Sequence, residues 1–345
     1  MSKLSRRDFL RVAALGMGAV ALNKFLAACS PPGSVNPTSQ PARLVPTANG
    51  VASTDAPAVP AEAGSTQAAA SPGATGAPDL VVVRGGEPEA LVRRALASLG
   101  GMERFVPQGA NVIVKPNICV AYHTYEYAAT TNPWVVGALV KMCFEAGAKA
   151  VKVLDFPFGG SAQEAYEKSG LQEQVEAAGG EMVAMAGFKY VSTPIPNGVQ
   201  LKSTEVFDDV LNADVLINVP IAKHHGSARL SLGMKNLMGV VRNRSAFHAN
   251  LGQRIADLST LLHPQLTVVD AVRILTANGP SGGNLNDVQK LDTILASADI
   301  VAVDSYATTL FGMQPDEIPY IKAAAAMGLG RNDLKNLKIE ELSGA

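Results

Sequence analysis

Lysines, histidines and carboxylates recur in this chain at one kind of place, directly after a short apolar run. Lys115-Pro116-Asn117 follows the run from Asn111, and Asp155 follows Ala150 to Leu154, with Phe158-Gly159-Gly160-Ser161 just beyond. Lys223-His224-His225-Gly226 comes after Asp214 to Val219, and Asp270 closes Leu266 to Val269 ahead of Asn278-Gly279-Pro280-Ser281-Gly282-Gly283. Lysine ammonium groups and glycine-rich backbone N–H groups bind anions. Lys115, Lys223 and Lys235, with Asn117, Asn236 and Asn278, are therefore candidates to hold a small phosphorylated or carboxylated ligand. Gly159, Gly160 and Ser161 read either as part of that cradle or as a turn whose serine caps the next helix.

His224 and His225 are adjacent, so in extended chain they face opposite ways and one of them reaches a site. His225, beside the flexible Gly226, is the candidate acid/base, with Asp155 or Asp270 as its orienter. A divalent metal would draw on Asp155, His248 and Asp270, although no HxxxH or CxxC spacing points to zinc. Cys119 and Cys143 read as inert. The second lies about ten residues along the helix that follows the first, roughly 15 Å away at 1.5 Å per residue, too far for a disulfide.

These residues need a scaffold that brings strand ends together. Apolar runs at 80–84, 111–115, 150–155, 181–185, 214–219, 266–270 and 291–295 alternate with helical patterns at 87–99, 132–146, 163–178, 230–241, 251–262, 299–311 and 316–327. Continuous apolar strands separated by helices predict an α/β domain with a mostly parallel sheet covered on both faces, a Rossmann-like layering. Lys189 to Lys202, with Pro194-Ile195-Pro196-Asn197-Gly198, predicts a small inserted β-hairpin. In such sheets ligands bind beyond the carboxyl ends of the strands, where the polar groups above collect.

The first 78 residues are of another kind. Residues 1–29 resemble a twin-arginine export signal, Ser5-Arg6-Arg7-Asp8-Phe9-Leu10, followed by a short apolar stretch and by Leu26-Ala27-Ala28-Cys29, which resembles a lipobox. That pairing implies passage through the twin-arginine machinery, removal of the signal, and a lipid anchor on Cys29 that holds the protein in the cell envelope. Residues 30–78 have Pro, Ala, Gly, Ser and Thr at 37 of 49 positions, too little apolar surface to fold, so they read as a disordered tether. Its span is on the order of 40 Å. Residues 79–345 then form a single domain carrying 23 basic and 27 acidic side chains. The whole chain has a formal net charge of −1 and no basic stripe, which excludes nucleic acid as a partner. No apolar run reaches the roughly 18 residues of a membrane-spanning helix.

As a set, the segments of this domain resemble the family catalogued as domain of unknown function 362. The resemblance is carried by Ile113-Val114-Lys115-Pro116-Asn117, Thr131-Asn132-Pro133, and Ala213 to Pro220 with Lys223 and His225. Met234-Lys235-Asn236-Leu237-Met238-Gly239, Val269-Asp270-Ala271 to Asn278-Gly279-Pro280, and Leu295 to Asp304 add to it. It implies an α/β domain and no settled reaction. It also implies, for some relatives, a ferredoxin-like cysteine cluster. Here Cys119 and Cys143 are the only domain cysteines, so a four-cysteine iron–sulfur cluster is not expected. The leading expectation is an anchored protein that binds a small anion. The alternatives are a redox accessory or cofactor carrier delivered folded, and a tethered scaffold with a flat surface.

Overall fold

The computed structural model describes residues 76–344. The expected export signal, Cys29 and nearly all of the expected tether lie outside the described residues.

Twelve strands and nine α-helices follow one another in these residues. They are β1 (Leu80–Arg84), α1 (Pro88–Ser98), β2 (Asn111–Pro116), α2 (Pro133–Glu145), β3 (Ala150–Val153), α3 (Ala162–Lys168), α4 (Leu171–Ala177) and β4 (Glu181–Met182). Next come β5 (Tyr190–Pro194), β6 (Ser203–Phe207), α5 (Asp208–Leu211), β7 (Val215–Val219), β8 (Ile221–His225), β9 (Arg229–Ser231) and α6 (Gly233–Asn236). The order ends with α7 (Leu251–Ser259), β10 (Leu266–Leu275), β11 (Val288–Ser297), α8 (Ile300–Thr308), α9 (Pro319–Ala326) and β12 (Ile339–Ser343).

The main sheet runs β12-β1-β11-β10-β7-β2-β3-β4, with β8 pairing β10 and β9 at its edge. Its pairings are parallel except those that β11 makes with β1 and β10 and the β8–β9 pair. β5 and β6 form a separate antiparallel hairpin, whose second strand lies beyond the 189–202 read from the sequence. Strand residues alternate between two apolar cores, as a pleat of period two requires. Val112 and Val114 join Val135 of α2 and Val175 of α4 on one face. Ile113 joins Ile255 of α7, Val301 of α8 and Ile321 of α9 on the other. The mixed α/β architecture with helices on both faces is the one the sequence predicts.

Several local expectations are corrected. The pattern read as one helix over 163–178 is two, α3 and α4, because Gly170 between them adopts φ 76°. The pattern over 230–241 holds β9, the single turn α6 and a 3₁₀ turn at Leu237–Val240. The buried Asp304 carboxylate takes the N–H groups of Gly233 (2.6 Å) and Met234 (2.9 Å), so the helix cannot begin at 230. The segment Pro220 to Gly226, placed by the sequence just beyond the strand at 214–219, contains a strand of its own, β8.

Candidate functional site

The sheet changes direction between β2 and β7. From β2 the chain winds outward through β3 to β4, and it returns to β7 on the other side of β2 before continuing to β10. Side chains just past the carboxyl ends of β2 and β7 thus flank a crevice that no crossover covers. A pocket of about 300 Å³ opens there, lined by Asn117, Ile118, Cys119, Asp155, Phe156, Phe158, Lys223, His225, Ser231, Lys235, Asn236, Met238, Gly239, Arg244, His248 and Pro280. At this edge of the sheet the described residues present a concave pocket.

One wall of this pocket is a fixed polar network. Lys115, fully buried at the end of β2, donates to Asp155 Oδ1 (2.7 Å), Asn236 Oδ1 (3.1 Å) and the Pro116 carbonyl (2.8 Å). Asp155 Oδ2 accepts the Ile118 N–H at 2.6 Å. Lys223, 1% exposed, donates to Asn117 Oδ1 (2.8 Å) and to the carbonyls of Ala129 (2.6 Å) and Pro280 (3.0 Å). Asn117 Nδ2 donates to Asn236 Oδ1 (2.9 Å), and Asn236 Nδ2 donates to Asn218 Oδ1 (2.8 Å). An ammonium group has three N–H donors. Lys115 and Lys223 therefore spend all of theirs inside the protein and offer a ligand charge alone.

Lys235, at the end of α6, differs. It is partly buried and has no side-chain partner among the described residues. Burial, then the charges of Lys223 and Arg244, lower its pKa from 10.5 to about 8. Arg244 donates to the Phe156 carbonyl at 3.0 Å and lies 5.0 Å over the Phe156 ring, leaving most of its guanidinium N–H groups free. Lys115, Lys223, Lys235 and Arg244 face one carboxylate, Asp155, which Lys115 already neutralises.

His225 faces this pocket, whereas His224 turns away and accepts the Gly279 N–H on Nδ1 at 3.1 Å. His225 Nδ1 accepts the N–H groups of Ser227 (3.1 Å) and Ala228 (3.3 Å), so the ring proton resides on Nε2. Burial, reinforced by Lys235 and Lys223, pushes its pKa down to about 3. A ring held neutral, with its free nitrogen already protonated, is a hydrogen-bond donor rather than a general base.

The structure brings Lys223, Lys235, Asn117, Asn236, His225, Asp155 and His248 to the pocket lining, and Lys115 backs it. Asp270 is not among them. It is fully buried, takes the N–H groups of Asn132 (2.7 Å) and Val272 (2.9 Å), and is pushed by burial up to about 6. It thus anchors the start of α2 rather than orienting His225. Gly159, Gly160 and Ser161 also lie off the lining. Ser161 caps α3 in a capping box with Glu164, and Gly160, at φ 85°, packs where a Cβ would come 2.3 Å from that of Ala121. Asn278 ties itself to Asp287 at 2.8 Å.

Asp155, His248 and Asp270, the residues expected to hold a divalent metal, do not converge, because Asp270 lies off the pocket lining. Among the described residues no three His, Cys, Asp or Glu side chains gather as a metal site. Asp155 is claimed by Lys115, Asp270 is buried elsewhere, and the cations around His248 oppose a divalent ion.

Sequence reasoning missed Arg244, Phe156, Phe158 and Cys119. Cys119, read as inert, is 4% exposed, lines the pocket, and donates to the Pro280 carbonyl at 3.3 Å. Only the pairing of residues 119–121 with 158–159 shows why it is there; its position after a strand was the available signal. Cys143 matches the inert reading, buried in the core with its thiol pushed up to about 12 by burial.

Three comparisons with known proteins bear on this chain. It is 29% identical over 249 residues, 70% of this chain and 75% of the relative, to a thylakoid-associated protein of Synechocystis. Among solved structures it overlays with a TM-score of 0.41 on the lactate racemase apoprotein from Thermoanaerobacterium thermosaccharolyticum, at 14% identity over 62% of this chain. A protein from Thermotoga maritima overlays with a TM-score of 0.40, at 13% identity over 66% of this chain. The overlays span 53% and 60% of those two chains. Residues 112–309, more than half of the chain, match the profile of one family. This span contains every lining residue of the pocket, and the chain belongs to the family described as Domain of unknown function (DUF362).

Proposed function

We propose that the pocket binds a small phosphorylated or carboxylated compound, and that the domain is held in the cell envelope by a lipid anchor on Cys29 after export by the twin-arginine route. The observation that carries the ligand reading is the charge balance of the pocket. Four cations stand around a single carboxylate that is already paired, and Lys235 keeps its N–H donors free. An anion entering there meets Lys235 and the guanidinium of Arg244 directly. The fixed charges of Lys115 and Lys223 lie behind them, in a partly desolvated space where attraction is stronger than in water. The neutral His225 contributes an Nε2–H donor.

Membrane association finds support in the relative named as thylakoid-associated. Among the described residues no helix is long and apolar enough to cross a membrane; the proposed anchor rests on the lipobox-like Leu26-Ala27-Ala28-Cys29.

Titration calorimetry and thermal melts with inorganic phosphate, pyrophosphate and simple carboxylates test the ligand reading. At least one anion raises Tm, and Lys235→Met weakens its binding by about 2 kcal/mol, roughly 30-fold. Melts that no anion moves, or equal affinity in the variant, overturn it.

A further inference from the structure

The pocket treats its three lysines unequally. Lys115 and Lys223 each make three hydrogen bonds to protein acceptors, which commits every Nζ position to the protein and leaves none to offer a substrate. Lys235 alone among them is unpartnered, and it lines the cavity. The charged and titratable groups that line the cavity with it are Lys223, Arg244, Cys119, His225, His248 and a single carboxylate, Asp155, which Lys115 already pairs at 2.7 Å. Burial and then the neighbouring cations favour the uncharged amine, so a minor fraction of Lys235 carries a lone pair near neutral pH, growing as pH rises towards 8. An amine in that state is a nucleophile towards carbonyl carbon.

Building on the anion-binding reading, we propose that Lys235 condenses with an anionic carbonyl compound, an aldehyde or 2-oxo acid carrying a carboxylate or phosphate, to form an imine on its Nζ. The anionic group of the substrate lies against Arg244 and the charge of Lys223, which aims the carbonyl carbon at Lys235. The Nζ lone pair adds to that carbon, and the carbonyl oxygen takes a proton to give a carbinolamine. Loss of the oxygen as water then leaves a protonated imine. Overall one amine, one carbonyl and one proton give one iminium and one water. The Nε2–H of His225 can donate to the oxygen while it is still bound, without giving up its proton.

Reductive trapping on the full chain tests this. The protein is incubated with glyoxylate or with pyridoxal 5′-phosphate and cyanoborohydride, then digested and mapped by mass spectrometry. Lys235 is expected to be alkylated at least about tenfold faster than any other lysine, with inorganic phosphate protecting it and the rate falling as pH drops below about 8. Lys235→Arg keeps a positive charge and abolishes trapping at this site, while the phosphate shift is read on the unsubstituted chain. Alkylation spread evenly over surface lysines, with the phosphate shift intact, overturns the imine and leaves the anion site standing. Loss of both the shift and the selectivity overturns both. The mapping on the unsubstituted chain does not depend on any variant folding.

Discussion

At the scale of single residues, what matters is which polar atoms are already spent. Lys115 and Asp155 are both buried and paired at 2.7 Å, so removing one member strands a charge. Lys115→Met is expected to cost about 3–5 kcal/mol in urea unfolding, whereas Lys115→Met with Asp155→Leu recovers much of that loss. An additive double variant would show that the pair is not coupled. His225 gives a pH test. Its folded pKa of about 3 lies below the ordinary 6.5, so between those values the unfolded chain takes up a proton that the native chain refuses. Its contribution to stability is complete above pH 6.5 and declines as pH falls towards 3. Unfolding midpoints of His225→Gln measured across that window should show a shallower acid limb than the parent; an unchanged slope contradicts the neutral assignment. The sequence makes Lys115, Lys223 and Lys235 look alike, each a lysine near a strand or helix end. Their acceptors come from segments such as 129, 155, 236 and 280, so spacing along the chain carries no record of which lysine is left free.

At the scale of elements, short pieces tie the site together. α6 carries both Lys235 and Asn236, and its start is set by the Asp304 carboxylate from α8. Asp257 of α7 clamps the hairpin turn by accepting the N–H groups of Val199, Gln200 and Leu201 at 2.7–2.8 Å. Gly239, just after α6, has to be glycine. A Cβ there would stand 2.0 Å from Asp155 Oδ1 and 2.6 Å from Lys115 Nζ. Gly239→Ala is therefore expected to lose about 2 kcal/mol or more of stability and to disturb the ion pair, as overpacking does. A melting curve matching the parent's would contradict that packing. The long elements were legible in the sequence because Asn132-Pro133 starts α2 with a capping side chain and a proline, and because strand cores such as Val112 to Val114 are continuously apolar. The region from β8 to α6 was misread because its breaks come from partners far along the chain, Asp304 for α6 and β10 for β8.

At the scale of the whole molecule, the pocket sits where the strand order reverses, and the proposed anchor on Cys29 would hold that domain at a membrane surface. If Cys29 is acylated after export, Cys29→Ser should move the protein from the detergent phase to the aqueous phase on phase separation of host membranes, and recovery of both forms in the detergent phase would refute the anchor. The sequence by itself determined the layered α/β class, the inserted hairpin and the family. Those features depend on local periodicity and on contiguous motifs such as Lys115-Pro116-Asn117 and Met234-Lys235-Asn236. Tertiary structure alone decided that Lys115 and Lys223 are saturated, that Asp270 is an anchor for α2, and that Arg244 and Cys119 enter the pocket. The physical reason is that hydrogen-bond satisfaction and charge balance are summed over groups that meet only in space, across separations such as the 121 residues between Lys115 and Asn236.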